Sequence, residues 1–550
     1  MTASNSSTEV LIVGALGISF RIIDGRSDEP RVGQADGLNP KTMEIFESWG
    51  IDDRITKLWE PATHETIWYR GLDEKLVRTD RYLNQPPVGG TVEEIMKKRI
   101  EEISGITVGY HTTLCELNID TAQLAYPEGF ACTAQVQQQR NGIIEKEIIR
   151  AKYVIGADGG KSMTRKALDI GMDGARGTSI WGVMDFAGSS DFPDFAATSI
   201  IRSDIDGSVD FVRREEGLIR MYVELNKGPE WKHICREDIT PDLIIKKCQY
   251  MVRPYKVWWS AFTATQKLST ALTKSNLVFL VGDAVHTHSP VTGMGMNTSI
   301  QDSYNLAWKL GGVIKKHLNP NILTTYATER GAVAKQLLQA DRTTLELFSA
   351  KFGQETPSLL QRADDLRVFL GGRAIRYADP LLTSSSAQGF GCFRPGECLP
   401  ELAITNHATG RSVHLHNAMK SNGTWNMVVF AGEASSVAQM GRVHALAKQL
   451  EGLRDATFGV LETLLVHCAK WESVELTEFP TLFQPCDPVT GRDYTRIFID
   501  ERAVCDEFGV DPNDGGLVLV RPDRYIAWTG GLGDFGDLKT YLLAVFARSP

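Results

Sequence analysis

Three stretches of the sequence combine acidic residues with glycines in patterns that could hold a polar ligand. They are RVGQADGL at 31–38, GADGGKSMTR at 156–165 and VGDAVHTHSPVTGMGMNTSIQD at 281–302. A carboxylate at the end of a strand can accept hydrogen bonds from sugar or ribityl hydroxyls. Glycine carries no Cβ atom, so the backbone can come close to a flat ligand. The stretches therefore indicate one binding site built from distant parts of the chain.

The third stretch carries the strongest signal, because it predicts a strand, a loop and a helix in that order. The strand LVFLVGD ends in Gly282 and Asp283, and a helix begins near Asn297. The first turn of a helix offers free N–H groups and about half a positive charge. That end suits a ligand that becomes anionic, such as a reduced flavin. The alternative is an ordinary strand–loop–helix junction.

Two histidines in this loop, His286 and His288, raise the question of a metal site. Zinc sites add cysteine, further histidine or carboxylate ligands to such a pair. Histidines without such neighbours are usually packing or hydrogen-bonding residues. We therefore expect no bound metal.

The pattern of apolar residues predicts three kinds of region along the chain. Residues 1–185 and 270–345 alternate short apolar runs with helical stretches, which is typical of one discontinuous α/β domain. Between them, residues 186–269 contain LIRMYVEL, whose period of two predicts a half-buried antiparallel strand in an inserted sheet domain. Residues 346–390 are predicted to be a helical segment and a linker, and 391–550 a further unit with its own strands.

The composition limits the classes of partner. The formal net charge of -9 and a pI near 5.8 argue against a nucleic-acid-binding protein, which would carry a basic surplus. No apolar run approaches the roughly 18 residues that span a membrane. The N-terminus is polar and has no signal-peptide core, so we expect a cytosolic protein. The nine cysteines form no Cys-x-x-Cys pair, which argues against a zinc knuckle or a dithiol redox centre.

Taken in order, the three stretches resemble the FAD-dependent aromatic hydroxylases, the single-component flavoprotein monooxygenases typified by p-hydroxybenzoate hydroxylase. Together with LVLVRPDRYIAW near the C-terminus, they are most similar to the phenol 2-monooxygenase subgroup. The resemblance implies an α/β FAD-binding domain at 1–185 and 270–345 with an inserted, mainly antiparallel β-sheet domain for the substrate at 186–269. It also implies a thioredoxin-like C-terminal domain at 391–550.

The resemblance also implies a reaction and its partners. In that family NADPH reduces FAD, O2 adds to the flavin, and a C4a-hydroperoxide delivers oxygen to a phenolic or other electron-rich ring. The expected setting is aromatic degradation or natural-product biosynthesis, in a possible homodimer that needs neither nucleic acid nor membrane. The alternative is a catalytically inactive binding or scaffold relative that has lost tight FAD binding.

Two residues are candidates for the catalytic machinery. Asp36 matches the family aspartate that promotes ionisation of the phenol, which has a pKa of about 10; alternatively it caps a turn. Phe262 stands where the subgroup usually has a tyrosine. The missing hydroxyl favours an aromatic substrate larger than phenol, unless Phe262 merely packs.

The resemblance assigns cofactor contacts residue by residue. Asp24 is expected at the adenosine ribose, Asp283 at the ribityl chain, and Asp158 with Gly159 between FAD and the approach of NADPH. Arg165 is expected to neutralise phosphate or to pair with a carboxylate; the alternative is a surface ion pair. The residues expected to line the isoalloxazine are Pro290, Gly293, Gly295, Met296 and Asn297, and weaker candidates for FAD contact are Arg31 and Gln85.

The opening strands depart from the family pattern. The family places Gly-x-Gly-x-x-Gly and a helix of about a dozen residues after the first strand, but here Val10–Ala15 runs almost directly into Ile18–Ile23. A crossover between parallel strands needs about 10–12 residues. We therefore predict that this helix has been deleted, and that Val10–Ala15 forms a distorted edge or lies outside its usual place. Without the helix N-terminus that takes the pyrophosphate, FAD should bind weakly.

Overall fold

The computed structural model describes residues 4–11, 18–26, 37–56, 65–70, 75–82, 91–126, 129–140, 143–174, 180–186, 190–195, 197–213, 219–235, 238–253, 267–287, 294–349, 357–387, 389–500 and 503–547. The chain divides into two compact units. Unit 1 consists of residues 1–44, 50–303 and 331–372, and unit 2 of 45–49, 304–330 and 373–550. Within the described ranges, no helix is long and apolar enough to cross a membrane.

Unit 1 is a mixed α/β structure. Its strands are β1 (Ser4–Leu11), β2 (Phe20–Ile23), β3 (Glu65–Arg70), β4 (Leu76–Tyr82), β5 (Val108–Gly109), β6 (Thr112–Ile119), β7 (Cys132–Arg140), β8 (Ile143–Gly156), β9 (Met172–Asp173), β10 (Trp181–Phe186), β11 (Thr198–Ser203), β12 (Gly207–Arg213), β13 (Ile219–Glu224), β14 (Lys267–Ser269), β15 (Thr273–Lys274), β16 (Val278–Leu280) and β17 (His286–Thr287). The helices up to its end are α1 (Pro40–Ser48), α2 (Asp52–Thr56), α3 (Thr91–Ser104), α4 (Met163–Ala167), α5 (Pro241–Val252), α6 (Gly295–Ile314), α7 (Thr324–Ser349) and α8 (Pro357–Leu370). Helices α1, α6 and α7 each contribute residues to both units.

The largest sheet of unit 1 has a parallel centre. Its strands lie in the order β15-β16-β8-β1-β2-β5, and β6 and β7 extend it from β8. Strands β16, β8, β1 and β2 all run in the same direction. Residues 278–280 of β16 are completely buried, as expected for an apolar strand that is covered on both faces. The α/β architecture expected from the sequence is confirmed.

The prediction that the first strand forms a distorted edge is wrong for its described part, Val10 and Leu11. Strand β1 lies inside the sheet and pairs in parallel with both β8 and β2. The short link is sufficient because β2 pairs only with Val10 and Leu11 at the end of β1. The link therefore has to run back along β1 by the length of only one or two residues, at about 3.3 Å each, and not by the length of a whole strand. Among the described residues between these strands there is no helix, and residues 12–15 of the predicted first strand lie outside the described ranges.

The second sheet of unit 1 has the order β10-β13-β12-β11-β3-β4. Strand β13 pairs antiparallel with β10 and β12, as the sequence predicts. One face carries Val209, Phe211 and Met221 and packs against α5. The expectation that this strand is half-buried is wrong, because all residues of β13 are buried. The period of two separates an apolar face from a polar face, and both faces are covered.

Unit 2 is built on an eight-stranded sheet. Its strands are β18 (Ser384–Ser385), β19 (Ala403–Asn406), β20 (Ser412–His414), β21 (Trp425–Gly432), β22 (Leu461–His467), β23 (Cys486–Asp487), β24 (Gly491–Arg492), β25 (Ile497–Ile499), β26 (Gly516–Val520) and β27 (Ile526–Gly530), and its further helices are α9 (Val437–Glu451), α10 (Ala503–Phe508) and α11 (Phe535–Val545). The eight-stranded sheet has the order β18-β27-β26-β21-β22-β25-β19-β20, and β23 and β24 form a separate two-stranded sheet. Strands β21 and β22 are parallel and joined by α9, whereas β26 and β27 are antiparallel. This is the arrangement expected of a thioredoxin-like unit.

Four charged side chains lie buried together in unit 2. The Arg521 guanidinium donates to both oxygens of Glu329, at 2.6 and 3.0 Å, and to both oxygens of Asp523, at 2.9 and 2.6 Å. The Lys309 ammonium lies 2.7 Å from Glu329. The side chains of Lys309, Glu329 and Arg521 are 0% exposed and that of Asp523 is 3% exposed. Two positive and two negative charges thus balance in what we call the ionic cluster.

The ionic cluster connects three distant segments of unit 2. Lys309 lies on α6, Glu329 on α7, and Arg521 with Asp523 between β26 and β27. Burial alone would raise the pKa of Glu329, but the charges of Arg521 and Lys309 outweigh it and lower this pKa to about 2. Removing one partner from such a group leaves an uncompensated buried charge. The ionic cluster therefore ties the three segments together, and removing any one of its charged side chains costs a large amount of folding free energy.

We expect the substitution Arg521→Met to lower the free energy of unfolding by about 3–5 kcal/mol, because it leaves two buried carboxylates without their shared cation. Denaturant unfolding followed by tryptophan fluorescence measures this loss. The control Arg373→Met removes an exposed ion pair with Glu401 and should change the free energy by about 0.5 kcal/mol or less. Equal losses in the two variants would contradict a structural role for the cluster.

The ionic cluster also predicts sensitivity to acid. The pKa of Glu329 is about 2 in the folded chain and 4.5 as its ordinary value, so the unfolded chain takes up the proton first on acidification. The stability contributed by this carboxylate is complete above pH 4.5 and disappears as the pH falls towards 2, a loss of about 3 kcal/mol. The variant Glu329→Gln should therefore show a shallower loss of stability in this pH window, measured by denaturant unfolding at a series of pH values.

Candidate active site at the carboxyl edge of the parallel sheet

Three acids singled out by the sequence follow parallel strands of the largest sheet. Asp24 comes directly after β2, Asp158 shortly after β8, and Asp283 shortly after β16. These strands and β1 between them run in one direction, so their carboxyl ends meet at the same edge. Ligands of open α/β sheets bind outside this edge. The topology thus gathers the three acids on one side of unit 1.

Asp283 is an exposed acid on a fixed turn. The carbonyl of Gly282 accepts the N–H of Val285 at 2.8 Å, and the carbonyl of Val285 accepts the N–H of Ser269 at 2.6 Å. The side chain of Asp283 itself faces solvent. Because the surrounding backbone is held in place, the carboxylate is preorganised to accept hydrogen bonds from a ligand.

Arg165 joins the second sequence stretch to the third. Its guanidinium is buried and donates to the carbonyl of Ala284 at 3.0 Å and to that of Gly160 at 2.9 Å. The structure therefore places this cation against backbone carbonyls next to Asp283. A buried guanidinium with two such acceptors fixes the distance between the two loops.

The carboxylate of Asp158 is hydrogen bonded to residues at the start of α4. Its carboxylate accepts the hydroxyl of Ser162, and the N–H and hydroxyl of Thr164 at 2.8 and 3.0 Å. Gly159 follows at a φ of +74°, a left-handed conformation that favours glycine, and an added Cβ would meet no atom within 4 Å. The glycine is thus required by the backbone rather than by crowding. Asp158 remains exposed, so its bonded carboxylate still borders the sheet edge.

Asn297 joins the third stretch to the end of the first stretch and to Asn39 directly after it. Its side-chain carbonyl accepts the N–H of Asn39 at 2.9 Å, and its amide donates to the carbonyl of Gly37 at 2.8 Å. Asn297 is buried in the first turn of α6, where Gly295 and Met296 are half-buried. One side chain thus holds the backbone at the end of the RVGQADGL stretch.

Asp24 is engaged by a neighbouring arginine. Its carboxylate accepts the backbone N–H of Arg26 at 2.9 Å and two guanidinium N–H groups at 2.9 and 2.7 Å. Partial burial would raise the pKa of Asp24, but the hydrogen bonds and charge of Arg26 outweigh it and lower this pKa. In the structure this acid forms a partly exposed ion pair with Arg26, and its contact with an adenosine ribose stays a prediction.

Six of the predicted site residues lie outside the described ranges: Arg31, Asp36, Gln85, Phe262, Pro290 and Gly293. His288 lies outside them too, whereas His286 is buried. In the described part of the chain, no group of three or more histidine, cysteine or acidic side chains could hold a metal ion.

The described residues fit one half of an FAD molecule better than the other. The exposed acceptor of Asp283 and the N-terminus of α6 suit the ribityl chain and the anionic edge of a reduced isoalloxazine. The pyrophosphate normally lies on the N-terminus of a crossover helix between the first two strands. Only eight residues, 12–19, link β1 to β2, which is too few for that helix and its return. No described residue can be assigned to the pyrophosphate.

Sequence reasoning missed the roles of Asn39 and Thr164. Asn39 accepts the N–H of Thr42 at 2.9 Å and so caps α1, and it precedes a proline at the first helical position. Asparagine followed by proline is a known signal for a helix start, so the pattern in NPKT was sufficient to predict this cap. The bond from Thr164 to Asp158 has no comparable signal, because a threonine inside a helix is usually unremarkable.

Comparison with known sequences gives two family matches. Residues 8–341 match the FAD binding domain family, and residues 375–549 match the phenol hydroxylase C-terminal dimerisation domain. The FAD-dependent monooxygenase hkm7 of Aspergillus hancockii is 49% identical over 531 residues, covering 92% of this chain and 100% of the relative. The phenol 2-monooxygenase fsqG of Aspergillus fumigatus is 31% identical, covering 98% of this chain and 96% of the relative.

Among solved structures, the ternary complex of aklavinone-11 hydroxylase with FAD and aklavinone has a TM-score of 0.70 at 17% identity. It covers 97% of this chain and 98% of its own, and at this identity it supports the fold alone.

We expect Asn297→Leu to destabilise unit 1, because it removes the partners of a buried N–H and a carbonyl together. Each lost partner costs about 1–3 kcal/mol, so the free energy of unfolding should fall by about 2 kcal/mol or more. The control Asn118→Leu changes an exposed residue of β6 and should have an effect of about 0.5 kcal/mol or less. If the two variants unfold at the same denaturant concentration, the link through Asn297 does not hold the site.

Proposed function

The chain belongs to the FAD-binding-domain family of FAD-dependent monooxygenases that act on aromatic substrates, and we propose that it hydroxylates a phenolic or other electron-rich aromatic compound with NADPH and O2. The observation that carries the proposal is the pair of links made by Arg165 and Asn297. They bind together the three acidic, glycine-containing stretches, which are otherwise far apart in the sequence. A fold that only needed a stable sheet would not require these loops to meet.

In this proposal the carboxyl edge holds the flavin. Asp283 accepts hydrogen bonds from the ribityl hydroxyls, and the first turn of α6, including Gly295 and Met296, presents N–H groups to the ring edge that becomes anionic. When bound, the reduced flavin supplies electrons that activate O2 and allow one oxygen atom to reach the substrate ring. Asp158 and Gly159 border the same edge, where NADPH would approach.

Asp36 is the residue that we propose to promote ionisation of the substrate phenol. A base or acceptor near the hydroxyl raises the electron density of the ring where oxygen must add. The support from the structure is indirect: Asn297 holds Gly37 and Asn39, so the backbone directly after Asp36 is fixed against α6. Phe262 supplies no hydroxyl, which favours an aromatic compound that is anchored by other groups.

The relatives favour a tailoring reaction on a natural product. The relatives hkm7 and fsqG are fungal monooxygenases, and the aklavinone hydroxylase structure contains a polycyclic aromatic substrate. We propose a multi-ring or substituted aromatic substrate for this chain. The match of residues 375–549 to a dimerisation domain further supports a homodimer.

One observation favours a second function, that of an inactive binding or scaffold relative. The link between β1 and β2 has only eight residues. This short link opposes tight binding of the adenosine half of FAD. The retained edge around Asp283 opposes this second function.

The test compares the chain in its own sequence, called the printed chain, with an insertion variant. In the insertion variant, the corresponding loop and helix of fsqG stand between Gly14 and Leu16. We expect the printed chain to bind FAD weakly in equilibrium dialysis, and the insertion variant to bind it stoichiometrically. In the insertion variant, a panel of phenolic and polycyclic compounds should stimulate NADPH oxidation and yield products heavier by one oxygen atom.

Two further variants sharpen this test. In the insertion variant, Asp283→Asn should weaken FAD binding about tenfold or more, whereas the exposed Asp173→Asn on β9 should not change it. Tight FAD binding by the printed chain would contradict the predicted loss of the pyrophosphate site. Bound FAD without stimulated NADPH oxidation for any compound would favour the inactive relative.

A further inference from the structure

A buried carboxylate lies behind the turn that carries Asp283. Asp302, in the second turn of α6, accepts the backbone N–H of Gly282 at 3.2 Å and is bonded to Nε2 of His286 at 3.0 Å. Asp302 is 2% exposed and His286 is completely buried. The two donors come from the residue directly before Asp283 and from the third residue after it. One oxygen of Asp302 therefore spans the turn.

The backbone at this turn needs to be held. Gly282 adopts a φ of +56°, a left-handed conformation, and a Cβ added to it would lie 2.8 Å from the hydroxyl oxygen of Ser299. The turn is thus pressed against α6 with no room for a side chain. The N–H of Gly282 points at Asp302 on the same helix, so the bond fixes how the turn lies against α6.

We propose that Asp302 and His286 are positioning residues for Asp283, an inference that rests on the proposed function. Arg165 holds the carbonyl of Ala284 on one side of Asp283, and Asp302 holds the N–H of Gly282 on the other. His286 holds the Asp302 carboxylate in place. Asp283 thereby faces the ligand with its main chain bound on both sides, and its own carboxylate is left exposed.

The arrangement also explains why an acid is used at position 302. Burying a carboxylate costs free energy unless it accepts hydrogen bonds. Hydrogen bonds to a charged acceptor are stronger than those between neutral groups. An apolar side chain of similar volume would fill the space on α6 but could not accept either donor. An experiment can therefore compare a side chain that only fills the space with one that also accepts the hydrogen bonds.

The experiment uses hydrogen–deuterium exchange on the full chain without flavin, in three variants. Asp302→Leu fills the volume without an acceptor, Asp302→Asn keeps a carbonyl for Gly282, and His286→Phe removes one donor. We expect amides at 282–285 to exchange at least tenfold faster in Asp302→Leu, with peptides of β8 as the internal reference. Asp302→Asn should stay within about threefold of the parent, and His286→Phe should lie between them.

A control variant separates this effect from the loss of any buried histidine. His467 in unit 2 is also completely buried, and His467→Phe should leave exchange at 282–285 unchanged. Should Asp302→Leu fail to fold, the comparison of His286→Phe with Asp302→Asn still decides the matter. Unchanged exchange at 282–285 in both Asp302→Leu and His286→Phe would overturn the proposal, as would equal acceleration by Asp302→Asn and Asp302→Leu.

Flavin binding supplies the functional measurement. FAD binding to the insertion variant is titrated by flavin fluorescence. The affinity should fall at least tenfold after Asp302→Leu, and stay within about threefold of that of the unsubstituted insertion variant after Asp302→Asn. Undiminished affinity after Asp302→Leu, with faster exchange at 282–285, would overturn the positioning role towards the flavin. If the insertion variant itself binds no FAD, the proposed function fails, whereas the exchange measurement still tests whether Asp302 and His286 hold the turn.

Discussion

Parallel pairing of four strands is the constraint on which the candidate site depends. Strands β2, β1, β8 and β16 run in one direction, so the loops after them emerge at a common edge. Three of these loops carry Asp24, Asp158 and Asp283, which are separated by more than a hundred residues in sequence. The hydrogen bonds of Arg165 fix the loop after β8 against the loop after β16, and those of Asn297 fix Gly37 and Asn39 against the start of α6. The sheet brings the chemistry together, and buried side chains set its geometry.

Much of this site could be predicted from the sequence, because its signals are local. An apolar run closed by an acid and a glycine predicts a strand end, and the helix after Gly295 has a clear period. The partners of those acids were not predicted, although Arg26 and Thr164 lie only two and six positions away, because an aspartate at a strand end has several local donors to choose from. The burial of β13 was misjudged for a different reason. A strand face that carries polar residues is normally exposed to solvent, whereas the polar face of β13 is buried.

The ionic cluster of unit 2 shows a limit of pattern reasoning. Lys309, Glu329 and Arg521 are charged residues on three separate segments, and charged residues are almost never completely buried unless paired. Nothing in the sequence identifies their partners, which lie up to about two hundred positions away. The cluster balances its charges internally, so burial is tolerated only when all members are present. Such interactions become visible only when the fold is known.

The short link between β1 and β2 has different consequences for the sheet and for a dinucleotide. Strand β1 pairs with β8 at seven positions and with β2 at two, so β8 is the neighbour that holds it in the sheet. The position of β1 therefore does not depend on a crossover helix. Pyrophosphate binding does depend on one, because it needs the N–H groups at the start of that helix. The parallel centre, the three acids and the turn at Asp283 are therefore independent of the helix on which the predicted weakness of FAD binding rests.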